Sequence, residues 1–439
     1  MPQPTRATLP LRLAFIDPGL RKAPFFLELR KVLAPVHCLY WSQRSVVRSY
    51  MRSAGVAMHP PRPHAVGSDE QITDAELRRA IGDKELTLRP AKAWKKARAL
   101  LSQLADFLDG ARVDAILVWN GSNLRSALAI HLARQRGLTV IYAEHGYLPG
   151  TTQLDRDGVN FNASISRLVR AGEAQLPPDP VIDAALDAAI DSYKTGQSRR
   201  DVVRHPAAEL RRNVRARIAS RVGLWMERSL LPQANRISVP VARGAALPAR
   251  YVLLPFQVRS DSQLLLHSPL YGNDMEAVVQ DLDAALARID PSLRLVAKFH
   301  PYELPQVQFG YRGLPRRFPR VHFVDAPMRQ LLAGAAAVVT INSTAGFEAL
   351  LYDKPVLALG RNFYTTPALV DCLEHRQDLE TALRATLAGK PDHERRRAFL
   401  RYTQARFLAS GHYQDFSPRS LHAFASRTAE LLASGAAQA

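Results

Sequence analysis

Short apolar runs alternate with amphipathic stretches along the first 150 residues of the chain. The apolar runs have the length of buried strands and stand at residues 11–16, 37–41, 113–119 and 139–143. The amphipathic stretches have helical periodicity and lie at residues 25–33, 94–108 and 126–136. Strands that alternate with helices form parallel sheets covered by helices on both faces. We therefore predict a Rossmann-like domain in this part of the chain.

The same alternation returns after residue 250. Strand-like runs stand at residues 251–258, 293–299, 321–324, 337–341 and 355–359. Helical patterns fit residues 275–289, 328–332 and 344–352, and further helical patterns fill much of residues 379–432. The pattern predicts a second Rossmann-like domain followed by terminal helices. In a pair of such domains we expect the site in the cleft between them.

A basic segment separates the two alternating regions. Residues 192–250 hold many arginines and few acids, and apolar residues recur every fourth position at Leu210, Val214, Ile218 and Val222. That spacing is typical of an amphipathic helix. Prolines at 232, 240 and 248 then mark a linker. We predict an N-terminal domain at residues 1–245, with the basic helical segment at about 192–245, and a C-terminal domain at residues 246–439.

Charge narrows the range of partners. The chain has 59 Lys and Arg against 40 Asp and Glu, a formal net charge of +19. Such an excess favours nucleic acid, anionic lipid headgroups or a negatively charged substrate. Because no recognised nucleic-acid motif accompanies the charge, we expect no nucleic-acid partner.

The compartment follows from what the sequence lacks. Its apolar runs are far shorter than the roughly 20 residues that a membrane span needs. The first residues show no signal-peptide pattern, so we expect a cytoplasmic protein. The two cysteines, Cys38 and Cys372, stand outside any metal-ligand spacing, and we expect buried free thiols.

The turn after the strand-like run at 337–341 is the most specific local pattern. It reads Asn342-Ser343-Thr344-Ala345-Gly346 and leads into a helix that carries Glu348. Small residues at such a turn leave backbone N–H groups unpaired, and the helix dipole favours a phosphate there. Glu348, one turn further, would accept hydrogen bonds from a ribose. The alternative is a purely structural strand–turn–helix.

Carboxylates and histidines stand at the carboxyl ends of other predicted strands, where open α/β sheets carry their sites. They are Glu144-His145-Gly146, Asp261, and Lys298 with His300-Pro301. Two carboxylates across a cleft can perform a double displacement at a glycosidic centre. A histidine at a strand end can bind a phosphate or donate a proton. The alternatives are a helix-capping Asp and a capping or core His.

Taken together, ordered motifs across most of the chain resemble those of the capsule polysaccharide biosynthesis family, and in particular its single-module retaining β-Kdo transferases. The matching segments are Pro24-Phe25-Phe26, Trp119-Asn120-Gly121, residues 144–151, residues 157–160, residues 255–263, His267-Ser268-Pro269, residues 298–301 and residues 342–350. Residues 50–93 and 170–250 contribute little to the resemblance.

The resemblance implies a GT-B-like fold: two Rossmann-like domains whose parallel sheets face a cleft, with C-terminal helices. It implies CMP-β-Kdo as donor, bound by the C-terminal domain, and a (lyso)phosphatidylglycerol acceptor on the N-terminal side. The product would be the first Kdo of the capsule linker, with configuration retained. One phosphate in the donor needs less charge neutralisation than a pyrophosphate, so we expect neither metal nor cofactor.

Site roles follow from the same resemblance. Asp261 is the expected nucleophile and Glu144 the expected acid/base. The expected donor-binding residues are Gln257, Lys298, His300, Pro301, Asn342, Ser343, Thr344, Gly346 and Glu348. The expected acceptor-side residues are Asn120, His145, Gly146 and Asn160.

The expected partners are the CMP-sugar donor, an anionic phospholipid, the inner-membrane surface and capsule assembly proteins. The net charge suits a cytoplasmic enzyme that lies peripherally on the inner membrane. Two alternatives remain at this stage: a GT-B transferase that uses another nucleotide sugar, and a non-catalytic capsule export or assembly component.

Overall fold

The computed structural model describes residues 10–58, 73, 75, 90–197, 246–259, 261–300 and 311–436. Within these ranges the chain forms two six-stranded sheets. The first sheet contains β1 (Arg12–Ile16), β2 (His37–Trp41), β3 (Ala115–Trp119), β4 (Thr139–His145), β5 (Thr151–Asp155) and β12 (Leu408–Ser410). The second contains β6 (Tyr251–Pro255), β7 (Arg294–Lys298), β8 (Val321–Val324), β9 (Ala337–Thr340), β10 (Val356–Ala358) and β11 (Asp371–Cys372).

Helices cover both faces of both sheets. The helices of the first half are α1 (Ala23–Val32), α2 (Ser45–Ser53), α3 (Pro90–Gly110), α4 (Leu124–Gln135), α5 (Ile165–Arg170) and α6 (Pro180–Thr195). Those of the second half are α7 (Ser262–His267), α8 (Met275–Ile289), α9 (Leu314–Arg317), α10 (Met328–Gly334), α11 (Thr344–Leu350), α12 (Leu379–Ala388), α13 (His393–Tyr402) and α14 (Pro418–Ala436).

Strand order shows the doubly wound topology. The first sheet runs β12-β5-β4-β3-β1-β2, with β1 to β4 mutually parallel, β5 antiparallel to β4, and β12 antiparallel to β5. The second sheet runs β11-β10-β9-β6-β7-β8 and is parallel throughout. The predicted GT-B-like architecture of two Rossmann-like domains is therefore confirmed.

Buried apolar strands explain why the sheets are sandwiched. All five residues of β6 are buried, and so are the first four of β3. A strand that buries both faces needs helices on both sides, which is the usual reason that parallel sheets read as continuous apolar runs. The strand–helix alternation of the sequence follows from this requirement.

The last segment of the chain corrects the predicted domain boundary. We predicted residues 246–439 as one domain, but β12 pairs with β5 of the first sheet and α14 packs on α1. Phe424 of α14 contacts Phe25 of α1 with ring centroids 5.3 Å apart, and both rings are fully buried. The return covers the open edge of β5, which would otherwise expose unpaired backbone groups.

Two other expectations concern the membrane. Residues 198–245, which hold the predicted basic helix and its Arg211, Arg212 and Arg215, lie outside the described residues. Among the helices that the structure describes, none combines the length and apolar character that crossing a bilayer requires.

Candidate functional site

Each sheet has a switch point where the chain changes direction. In the first sheet the switch lies between β1 and β3, and in the second between β6 and β9. Loops diverge at such points and leave a crevice beyond the carboxyl ends of the strands. The residues that follow these strands are Asp17 and Asn120 in the first domain, and Gln257 and Asn342 in the second.

Glu144 lies on β4, beside the first switch point. Its Oε1 accepts from Trp119 Nε1 at 3.2 Å and from the His145 backbone N–H at 2.8 Å, and its Oε2 accepts from Asn120 Nδ2 at 2.6 Å. The side chain is only 14% exposed. Burial raises the pKa of Glu144, while these hydrogen bonds and the ammonium of Lys22 oppose the shift. Three N–H donors suit a carboxylate, which is an acceptor only.

Asn120 is held in a conformation that few residues adopt. Its φ is 63°, in the left-handed region, and the next residue, Gly121, has a φ of 85°. Asparagine tolerates this region better than most residues because its short amide bonds locally. The turn aims the Asn120 amide at Glu144, so the predicted acceptor-side residue supports the candidate acid/base directly. Backbone strain of this kind is common at functional sites.

Asp261 lies just after β6, at the start of α7. Its Oδ1 accepts from the backbone N–H of Gln263 at 2.9 Å, so it caps the helix. The side chain is only half-buried. The negative charge of Asp261 raises the pKa of His300, although burial and Lys298 lower it by more. Asp261, His300 and Lys298 therefore form one electrostatic group at the ends of β6 and β7.

Tyr147 joins loops of the two domains. Its hydroxyl donates to Asn160 Oδ1 at 2.9 Å and accepts from Asn362 Nδ2 at 2.8 Å. Burial raises the pKa of its phenol, and the charges of Asp261 and Glu144 act in the same direction. The phenol therefore connects the loop behind Glu144 with a loop of the second domain.

The Tyr147 hydrogen bonds continue into the first domain. Asn160, whose φ is 55°, accepts at Oδ1 from Gln153 Nε2 at 3.0 Å and donates its backbone N–H to Gln153 Oε1 at 2.9 Å. Gln153 Nε2 also donates to the carbonyl of His145 at 2.6 Å. Asn160 is 7% exposed. It therefore holds the loop behind Glu144 rather than lining an open surface.

The same network reaches the second switch point. Asn362 Nδ2 donates to the carbonyl of Asn342 at 2.8 Å. Gln257 and Asn342 bond reciprocally, Nε2 to Oδ1 at 2.8 Å and backbone N–H to Oε1 at 3.1 Å. They are 4% and 1% exposed. Both were expected to bind the donor; their side chains lie inside the protein, so they can act on a donor only through the loops that they hold.

The Ser343 turn differs from expectation in its backbone. Ser343 Oγ accepts the Ala345 N–H at 3.2 Å, and the Ser343 carbonyl accepts the Gly346 N–H at 3.1 Å and the hydroxyl of Tyr364. The amides of Ala345 and Gly346, expected to be unpaired, are thus used within the turn because Ser343 caps α11. A Cβ on Gly346 would lie 2.3 Å from the Tyr364 hydroxyl, so packing against Tyr364 requires glycine here.

The remaining expected donor residues occupy different depths. Thr344 is exposed at the turn, and Glu348 is half-buried one turn further. Lys298 is 16% exposed, with its Nζ 3.8 Å from Asp325 Oδ1, and burial lowers its pKa. Pro301 lies outside the described residues.

Gly146 has a structural reason to be glycine. A Cβ there would lie 1.9 Å from Thr151 Oγ1, while the Gly146 N–H donates to the Thr151 carbonyl at 2.9 Å. The close approach forms the connection between β4 and β5. This turn sets the direction in which the preceding His145 leaves the strand.

Sequence reasoning missed four residues around His145. They are Lys22, Trp119 as a contact residue, His412 and Tyr413. Lys22 Nζ lies 4.6 Å from the Trp119 ring centroid and 5.0 Å from that of Tyr413. The tryptophan stood in a matched motif, but no local signal connects residue 145 with residue 412.

A bound metal ion would need several ligating side chains close together. Within the part of the chain that the structure describes, no group of three or more His, Cys, Asp or Glu side chains is arranged to hold a metal ion. The expectation that the chemistry needs no metal stays a prediction.

Known proteins provide an independent comparison. The family described as "Capsule polysaccharide biosynthesis protein" matches residues 114–413. Protein FixF of Sinorhizobium fredii is 29% identical over 347 residues, which cover 77% of this chain and 72% of that protein. The capsule polysaccharide export protein KpsS of Escherichia coli is 37% identical over 133 residues, or 28% of this chain and 33% of KpsS.

Solved structures resemble the chain only distantly. The structure titled "Thermosulfurimonas dismutans KpsC, beta Kdo 2,7 transferase" is 13% identical, with 96% of this chain and 99% of that chain covered and a TM-score of 0.47. This score is too low to support an argument about activity. The fold is therefore assigned from the strand order of this chain.

Proposed function

Because the chain belongs to the capsule polysaccharide biosynthesis protein family, we propose that it is a retaining glycosyltransferase. Its reaction moves Kdo from CMP-β-Kdo to a (lyso)phosphatidylglycerol acceptor, in the synthesis of the capsule linker. The observation that carries the proposal is the hydrogen-bond path Asn160–Tyr147–Asn362–Asn342, which joins the loop behind Glu144 to the turn beside Asp261. Retention at a glycosidic centre by double displacement requires two such carboxylates in one cleft.

Asp261 is the nucleophile of the first displacement. Its carboxylate forms a bond to the anomeric carbon of Kdo, and the bond from that carbon to the CMP phosphate oxygen breaks with its electron pair. CMP leaves as a phosphate anion, so no proton has to be donated to it. The half-buried position of Asp261 leaves it open to the donor, and its bond to the Gln263 amide fixes its orientation.

Glu144 is the base of the second displacement. It takes the proton from the acceptor hydroxyl while the hydroxyl oxygen bonds to the anomeric carbon and Asp261 leaves with its electron pair. Three N–H donors favour the charged form of the Glu144 carboxylate against the effect of burial and hold it in one orientation. The raised pKa makes it a stronger base than an exposed glutamate.

The donor lies against the second domain in this proposal. His300 and Lys298 bring positive or hydrogen-bonding groups to the single phosphate, and the exposed Thr344 and half-buried Glu348 lie along the turn after β9. Neutral His300, whose pKa burial lowers, can donate one ring N–H to a phosphate oxygen.

The acceptor meets an apolar surface beside the nucleophile. Leu265 and Leu266 on α7 are 41% and 57% exposed, and α7 begins directly after Asp261. Exposed large apolar side chains next to a catalytic group suit an acyl-chain acceptor. The net charge of +19 favours approach to an anionic membrane surface.

A transfer assay tests this function. Purified protein is incubated with CMP-Kdo and lysophosphatidylglycerol micelles, and the product is followed by mass spectrometry, with the anomeric configuration read by NMR. The expected product is a β-Kdo–lipid. A product with inverted configuration would refute the double displacement. Transfer from a different nucleotide sugar would favour the alternative of a GT-B transferase with another donor. No transfer, together with binding of capsule glycan, would favour an export or assembly component.

A further inference from the structure

Two histidines meet beside Glu144. His145 stands at the end of β4 and His412 follows β12, on the segment that returns to the first domain. His145 Nδ1 lies 2.9 Å from His412 Nε2, and the rings stack with centroids 5.1 Å apart at 26°. Two ring nitrogens at this distance form a hydrogen bond only when one of them carries a proton and the other a lone pair.

The backbone decides which nitrogen of His412 carries the proton. The N–H of Gln414 donates to His412 Nδ1 at 3.2 Å. A backbone amide can only donate, so Nδ1 holds the lone pair and the neutral ring carries its proton on Nε2. His412 is itself held in place, because its backbone N–H donates to Ser420 Oγ at 3.0 Å. His412 therefore donates to His145 Nδ1.

The tautomer of His145 follows. Its Nδ1 accepts from His412, so the neutral ring carries its proton on Nε2. That nitrogen lies 4.0 Å from Glu144 Oε1, too far for a direct hydrogen bond but close enough for an electrostatic effect. His145 thus carries an N–H, and not a lone pair, on this nitrogen.

The surroundings keep both rings neutral. Burial lowers the pKa of each histidine to about 4, and the ammonium of Lys22 acts in the same direction on both. His145 lowers the pKa of His412 further, and Asp415 opposes that shift. The His145 side chain is 52% exposed, and its ring contacts those of Trp119, His412 and Tyr413. The charged groups that face the pair are Lys22, Glu144 and Asp415.

From this geometry we infer that His412 is a positioning residue for Glu144, acting through His145. Its fixed tautomer keeps the N–H of His145 on the nitrogen 4.0 Å from Glu144 Oε1, which favours the carboxylate form of Glu144. The inference rests on the proposed function, in which Glu144 takes the acceptor hydroxyl proton. The role also gives a reason for the chain to return to the first domain after α13.

Ring-nitrogen NMR tests the pair without any substrate. In the full-length protein labelled with ¹⁵N-histidine, His145 and His412 should both be Nε2–H tautomers at neutral pH. Both should titrate with midpoints near 4. An Nδ1–H tautomer of His145, or a charged ring at neutral pH, would overturn the inference.

Replacing His412 tests the coupling to Glu144. His412→Phe keeps an aromatic ring against Tyr413 but removes the N–H. His145 Nδ1 then loses its donor, so the ring should populate both neutral tautomers, while its pKa stays low because burial and Lys22 still act on it. We expect kcat to fall about ten-fold with little change in acceptor KM. A His145 ring that stays wholly in the Nε2–H tautomer, or an unchanged kcat, would contradict the coupling.

Two further variants make the outcome interpretable. His412→Gln retains an N–H donor and should recover part of the Nε2–H tautomer of His145 and part of the wild-type kcat. His422→Phe is the matched control, because exposed His422 on α14 faces the Pro418 carbonyl at 2.7 Å and not the site. Expected ring shifts without Kdo transfer by wild-type protein would refute the proposed function alone. Transfer with the wrong tautomers would refute this inference alone.

Discussion

Glu144 and Asp261 have opposite surroundings, although each stands at a strand end and each raises the pKa of Tyr147. Glu144 is 14% exposed and accepts N–H bonds from Trp119, Asn120 and the following backbone amide. Asp261 is half-buried and bonds one backbone amide at the start of a six-residue helix. One carboxylate is enclosed, and the other is open to the cleft.

The difference agrees with the roles proposed for the two carboxylates. A buried carboxylate has its pKa raised because water no longer stabilises its charge, and such a group accepts a proton more readily. An accessible carboxylate stays ionised and can approach an anomeric carbon. The two domains thus give the same functional group different chemistry. The first domain encloses the Glu144 carboxylate among strand residues, whereas the second places the Asp261 carboxylate on a loop.

Removing the nucleophile should have the largest effect. Asp261→Asn keeps the helix cap, because asparagine caps as well as aspartate. It should reduce Kdo transfer at least about a thousand-fold, as loss of a nucleophile does elsewhere. Initial rates with CMP-Kdo measure this. Asp274→Asn is the matched control, since Asp274 caps α8 in the same way through the amides of Glu276 and Ala277. Equal losses of transfer rate in both variants would show that Asp261 acts only as a helix cap.

Neutralising the base should have the next largest effect. Glu144→Gln should lower transfer about 10² to 10³-fold, because the acceptor hydroxyl loses its base. CMP release in the first displacement should continue, so a Kdo adduct should accumulate on Asp261 and be visible by intact-mass spectrometry. The proposed division of roles between the two carboxylates would be wrong if no adduct forms in Glu144→Gln, or if Asp261→Asn also forms one.

The support of Glu144 can be weakened without changing its charge. Asn120→Ala removes the 2.6 Å donor and places a non-glycine residue at a φ of 63°, so we expect about 2 kcal/mol less stability to unfolding by urea. Asn120→Gly accepts the same φ and should lose only about 1 kcal/mol. Equal losses would show that strain contributes nothing and that the hydrogen bond carries the whole effect.

Removing the Tyr147 hydroxyl, which joins loops of the two domains, should have the smallest effect. Tyr147→Phe deletes the hydroxyl between Asn160 and Asn362. Asn160 keeps its bond from Gln153 and Asn362 keeps its bond to Asn342, so the cost should be about 1 kcal/mol. Thermal unfolding measures it. Separate unfolding of the two domains in this variant would show that the phenol couples them more strongly than this account allows.

Local patterns predicted most of the sheet strands. The strands Ala115–Trp119 and Tyr251–Pro255 are apolar throughout, and buried parallel strands have that composition. The short strands β5, β11 and β12 were missed. β5 reads Thr-Thr-Gln-Leu-Asp and β12 reads Leu-Ala-Ser, sequences with no alternation that would separate them from loops.

Candidate site residues were found where a motif was local. Glu144, Asp261 and His300 stand at the carboxyl ends of strands, which parallel topology brings to one edge within each sheet. The Ser343 turn was recognised as a strand–helix turn, but the use of its amides by Ser343 itself was not, because capping geometry depends on the side-chain rotamer. His412 gave no signal, since it stands 267 residues from His145.

The sequence by itself determined the alternation of buried strands and helices, the two-domain architecture and the strand ends that carry Glu144 and Asp261. These features follow from hydrophobic period and turn chemistry, which act over a few residues. The tertiary structure alone decided that both carboxylates act on Tyr147, that Gln257 and Asn342 are buried against each other, and that His412 returns to His145. Such contacts depend on how distant elements pack, and packing is not encoded in any single stretch of the chain.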